Sequence, residues 1–100
     1  MSLHASIVQA INERRLVLLN YDPGLRVIEP CAYGASSEHH GLLRAYQRSG
    51  ASAHGEPENW KLFRTDRISS IQLLDERFAG PRPEYRRNDK AMRGGMICQL

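Results

Sequence analysis

A chain of 100 residues, 41% hydrophobic and 25% charged, has the size of one domain around one core, with little volume for a deep internal pocket, so a ligand is expected on a face or in a shallow groove. No apolar run approaches the roughly 20 residues that cross a bilayer, and MSLHASIVQAINERR does not read as a secretory signal, because no basic start precedes an unbroken apolar stretch. The net charge of +3 is uneven: residues 1–76 hold 8 Lys+Arg against 9 Asp+Glu, residues 77–100 hold 6 against 2.

Leu3, Ile7 and Ile11 lie four apart with Ala10 alongside, which predicts a helix over Leu3 to Glu13 with Ser2 as its N-cap. RRLVLLNY then reads as a buried strand. DPG at 22–24 is turn chemistry, and LRVIEP follows as a second strand ending at Pro30, which brings Tyr21 and Arg26 together across a hairpin. CAYGASSEHH leads into a polar loop. HGLLRAYQ is a third strand, with Leu42, Arg44 and Tyr46 on one face and Leu43 and Ala45 on the other.

After the Gly/Ser/Pro-rich RSGASAHGEPEN, WKLFR makes a fourth strand that groups Trp60, Leu62 and Arg64 opposite Lys61 and Phe63. ISSIQLL is the fifth; its apolar phase slips between Ile68 and Ile71, which predicts a bulge or bend near Ser69 and Ser70. One helix followed by five short strands argues for a small, strongly curved antiparallel sheet or barrel over 1–78. Residues 79–100 form a basic extension. Its last apolar segment, MICQL, is expected to dock as an edge strand on its own barrel or on a neighbour's.

Chemistry-bearing clusters are sparse. Cys31 and Cys98 form no CxxC, so reduced thiols in a cytoplasmic protein are the expectation. His39 and His40 are adjacent, and neighbouring residues of a strand point to opposite faces; with His54 in a separate flexible stretch, no metal site is expected. Ser36 and Ser37 lie near histidines without the context of an activated nucleophile. No enzymatic activity and no cofactor are assigned.

The order of features over residues 5–78 resembles the WYL domain family. Ala10, Ile11, Arg14 and Arg15 match its helix end. Tyr21, Arg26 and Pro30 match a strand ending in tyrosine, a turn and an R-x-x-x-P stretch. GLLRAY matches the strand that carries the name motif, and KLFRTDRI matches an R-x-F-R-x-D-R-I segment. The chain departs from the pattern at Gly41 and Leu42, where the family has Trp-Tyr, and at Lys61, where arginine is frequent.

The resemblance implies an SH3/Sm-like antiparallel barrel of about five strands preceded by one helix. It also implies a non-enzymatic regulatory domain, free-standing without a helix-turn-helix module, that binds a nucleotide or single-stranded nucleic acid. Carried over residue by residue, the ligand surface would comprise Tyr21, Arg26, Tyr46, Arg64 and Arg67, with Arg44 and Lys61 in support.

Two readings stand beside each other for Arg64 and Arg67: contacts to an anionic ligand, or ion pairs with Asp66 and Glu29 that hold the sheet together. Tyr21, Tyr46 and Trp60 likewise read either as half-buried barrel residues or as stacking platforms. The extension reads as a nucleic-acid arm or as a segment that makes a homodimer. A module of this kind would act with a separate DNA-binding protein, with no membrane involved. The alternative is a protein-interaction or oligomerisation domain that has lost its ligand site.

Overall fold

The computed structural model describes residues 2–53 and 55–100. Helix α1 spans Leu3–Glu13, the bounds its periodicity predicts, and Ser2 caps it by accepting a hydrogen bond from the Ala5 amide at 3.1 Å. Arg14 ends the helix in the left-handed region (φ 53°), with its amide returned to Ala10 and Ile11 carbonyls, and turns the chain directly into the first strand.

Six strands follow: β1 (Arg15–Tyr21), β2 (Gly24–Ala35), β3 (Gly41–Gly50), β4 (Asn59–Arg64), β5 (Ser70–Arg77) and β6 (Gly95–Gln99). All pairings are antiparallel, in the order β4-β3-β2-β1-β5, with β6 added to β2. The protein is thus mainly β, and the sheet is unclosed, because β4 and β5 do not pair with each other.

β2 organises the sheet. One edge pairs with β3 throughout; the other pairs with β1 as far as Ile28 and with β6 from Ala32 to Ala35. It runs five residues beyond Pro30, where the sequence predicts its end. A register shift between Pro30 and Ala32 absorbs the proline, which has no amide to give to the ladder. The shift also reverses face parity: Ile28 and Tyr33, an odd number of residues apart, both face the core.

Ile7, Ala10 and Ile11 of α1 pack on Val17, Leu19, Ile28, Tyr33, Leu43 and Phe63 of the sheet. Each such buried aliphatic or aromatic side chain contributes about 1.5–3 kcal/mol. Among the described residues, no helix is long and apolar enough to cross a membrane.

One expectation is modified. The irregularity predicted near Ser69 and Ser70 is a 3-10 turn at Thr65–Arg67, so Ile68 reaches the core from the turn before β5 begins. The register shift of the β1–β5 pair lies at its other end, between Arg15 and Val17. MICQL does dock as a strand, on β2 of the same chain, with Ala32 opposite Gln99 and Ala35 opposite Gly95.

Between β5 and β6 the chain crosses the sheet face opposite α1. This crossing, residues 79–94, behaves as a strap. Arg82 meets Glu29, Tyr85 donates its hydroxyl to the Cys31 carbonyl at 3.3 Å, and Met92 is buried against Ala32 and Leu42. Gly94 then gives its amide to the Ala35 carbonyl at 2.8 Å. A Cβ at Gly94 would run into the Ser36 carbonyl oxygen, so only glycine permits this close approach.

Candidate functional site

Cross-strand partners share a face, so the register sorts the seven residues singled out from the sequence. Leu43 opposes Phe63 and Ala45 opposes Lys61 on the core side. Arg26 opposes the buried Leu19 and is on that side too. Arg44 opposes Leu62, Tyr46 opposes Trp60 and Leu42 opposes Arg64 on the other side, under or beside the strap. The six that lie on strands therefore form two groups on opposite faces, and Arg67 lies in the 3-10 turn between β4 and β5.

On the core side, Arg26 is only 4% exposed. It donates to the Tyr21 carbonyl at 3.1 Å, the Asp22 carbonyl at 2.6 Å and Gln47 Oε1 at 3.3 Å. Its guanidinium lies 5.2 Å from the Tyr21 ring centre and 5.4 Å from that of Phe63. Burial pushes its pKa down, while the Tyr21 and Asp22 charges work the other way. Tyr21 packs edge-on against Phe63 and accepts the Arg64 amide at its hydroxyl. Lys61 donates to Ser52 Oγ at 3.1 Å and the Glu56 carbonyl at 3.0 Å. Tyr21, Arg26 and Lys61 border a small hollow of about 190 Å³.

On the opposite side, Arg64 holds Asp66 in a two-point pair at 3.1 and 2.6 Å and touches His40 Nδ1 at 3.2 Å. The Arg64 hydrogen bond brings the Asp66 carboxyl below its usual range, against burial and with help from the Arg64 charge. Arg67, in the 3-10 turn, is exposed and makes no hydrogen bond or ion pair to a described residue. Tyr46 lies beneath Arg82, whose guanidinium carbon sits 3.6 Å from the ring centre. Arg44 grips Asp89 at 2.6 Å. Burial alone would raise the Asp89 carboxyl, but hydrogen bonds from Arg44 and the Ala91 amide, with the Arg44 charge, bring it below its usual value.

Between β4 and the strap lies the larger concavity, a groove of about 450 Å³. The sheet supplies Arg44 and Trp60; the strap supplies Glu84, Tyr85, Arg86 and Lys90 among others. The Trp60 and Tyr85 rings are nearly parallel, 6.1 Å between centres at 21°. Trp60 Nε1 donates to Glu84 Oε1 at 3.3 Å. Arg86 and Lys90 are exposed and pair with no described residue, which leaves them available to an anion. This combination offers a ring a stacking surface and offers a phosphate two cations.

Of the seven candidate ligand residues, the described lining of the groove includes Arg44; Trp60, weighed from sequence as a stacking platform, lines it too, and Tyr46 meets Trp60 edge to face at 5.5 Å. The strap residues are not among those seven, although their stretch PEYRRNDK, an aromatic among cations, belongs to the extension that also reads as a nucleic-acid arm.

Among the described residues no group of three His, Cys, Asp or Glu side chains is arranged to hold a metal ion, and His54 lies outside them. The Cys31 thiol is pushed up to about 12 by burial and then by the Glu29 charge, which leaves it a poor nucleophile. No family model, no curated protein and no solved structure matches this chain.

Proposed function

We propose that this chain is a non-enzymatic, WYL-like regulatory module that binds a nucleotide or single-stranded nucleic acid, and that it does so in the groove between β4 and the strap. The observation that carries this reading is the pairing of the Trp60–Tyr85 aromatic surface with Arg86 and Lys90, which pair with no described residue, in one concavity. Stacking is worth about 1–3 kcal/mol per base and tolerates any base, while cations in the groove attract the backbone. The antiparallel sheet with α1 over its core, unclosed between β4 and β5, is in this reading a variant of an SH3/Sm-like barrel. In this reading the module works through a separate DNA-binding partner.

Trp60 is the single tryptophan, so binding reports on itself. A short mixed-sequence single strand is expected to quench its fluorescence, with the logarithm of affinity falling with that of salt by about 0.7 per phosphate neutralised. Arg86→Ala with Lys90→Ala should weaken binding about tenfold, whereas Arg64→Ala with Arg67→Ala should leave it nearly unchanged. A loss confined to the Arg64/Arg67 variant would return the site to the surface expected from sequence.

A second reading, a homodimerisation module, has one observation in its favour. β6 pairs on one edge only, and Ile97 on it is 50% exposed. Light scattering at rising concentration would then give a dimer mass for the native chain and a monomer mass for Ile97→Lys; a monomer mass for both removes this reading.

A further inference from the structure

We propose that the groove selects guanine, with Glu84 reading the Watson–Crick edge of the bound base. The inference rests on the groove being a base-binding site, as argued above, and adds which base it prefers. Glu84 stands next to Tyr85 in sequence and at the rim of the Trp60 indole, whose N–H it accepts through Oε1 at 3.3 Å. Its other oxygen makes no hydrogen bond to a described residue, and the side chain is exposed and free to turn about its own torsions. A ring stacked on Trp60 or slipped between Trp60 and Tyr85 therefore has a carboxylate at its edge.

In a groove whose Arg86 and Lys90 favour anions, Glu84 repels every anionic ligand except one that donates hydrogen bonds to it. An ionised carboxylate accepts and never donates. Guanine presents two adjacent donors, N1–H and the exocyclic N2–H, which match the two oxygens of a carboxylate. Adenine and cytosine each set one amino donor beside a ring acceptor, and uracil flanks its one N–H with two carbonyls. Only guanine fills both oxygens, and a ligand that leaves a polar site unpaired is rejected more strongly than one that merely fits less well.

Titration of the Trp60 fluorescence of the full chain with GMP, IMP, AMP and CMP tests this. IMP keeps N1–H and lacks the N2 amino group, so it dissects the contact. GMP is expected to bind about tenfold more tightly than AMP or CMP, with IMP between. Glu84→Gln preserves an acceptor for the indole N–H but turns an amino group toward the guanine donors. It should bring GMP and AMP within about threefold of each other, with thermal stability unchanged.

Equal binding of all four nucleotides, or a GMP preference that survives Glu84→Gln, overturns the guanine assignment and leaves the base-binding reading intact. Absence of quenching by any of the four, and by the single strand, overturns both.

Discussion

Arg26→Ala is expected to be the most destabilising change at any of the positions that the family resemblance points to. It removes charge-assisted hydrogen bonds to the Tyr21 and Asp22 carbonyls and to Gln47 Oε1, and leaves those acceptors facing a cavity. Hydrogen bonds from a charged donor contribute about 1.5–3 kcal/mol each. Losing them together, even with water entering at the hollow beside Lys61, should cost about 3 kcal/mol or more.

For a domain of this size that is a fall in Tm of roughly 12–24 °C. Arg26→Lys recovers little, because an ammonium does not span two carbonyls and an amide at once. Thermal melting followed by circular dichroism is the measurement. A Tm within about 4 °C of the native chain would show that Arg26 is dispensable to the hairpin, and would restore it as a ligand contact.

The second large effect is expected from Arg82→Ala. Glu29 is 5% exposed and takes both its hydrogen bonds from Arg82, at 3.2 and 3.0 Å, with Arg48 more distant at 3.8 Å. Removing one partner of a fully buried pair costs about 3–5 kcal/mol. Because Arg82 is partly open to water and Arg48 stays behind, about 2 kcal/mol is expected here, part of it from the lost contact over Tyr46.

The consequence for binding should be larger than that for stability. Without Arg82 the start of the strap detaches, Tyr85 leaves Trp60, and quenching by the single strand should fall more than tenfold. Limited proteolysis would show new cleavage between residues 79 and 94. Arg82→Ala combined with Glu29→Gln should regain stability, having no bare carboxylate, but not binding. Tighter binding by Arg82→Ala would instead mean that the strap covers a site on Arg44 and Tyr46.

Much of the framework is legible in the residues themselves. Four-residue spacing and Ser2 give α1, DPG gives the β1–β2 hairpin, and strict alternation gives the faces of β3 and β4. What alternation does not reveal is how separate strands are phased. Face parity along β2 changes at the shift beside Cys31, so Ile28 and Tyr33, five residues apart, share the core face for reasons set by pairing with β3.

The candidate groove was less legible for a related reason. Arg86 and Lys90 line the groove only because Arg82 and Met92 pin the strap where it passes Trp60, and those contacts join residues far apart in the chain. Asp89 illustrates the point. It looks like a break in a basic run, yet it is the anchor for Arg44.

The placement of β6 also fixes an order of events during folding. Ala32 pairs with Gln99, 67 positions away, whereas the β1–β2 and β2–β3 pairs close short loops. Long loops are slower to close, and their contacts bring no gain until closure is complete. The β1–β2 and β2–β3 hairpins are thus expected to take shape first, and the concavity beside Trp60, whose strap reaches β2 and β3 only by closing a long loop, is expected to form later. The proposed binding is consequently expected to be acquired late, arriving after the secondary structure in a refolding experiment.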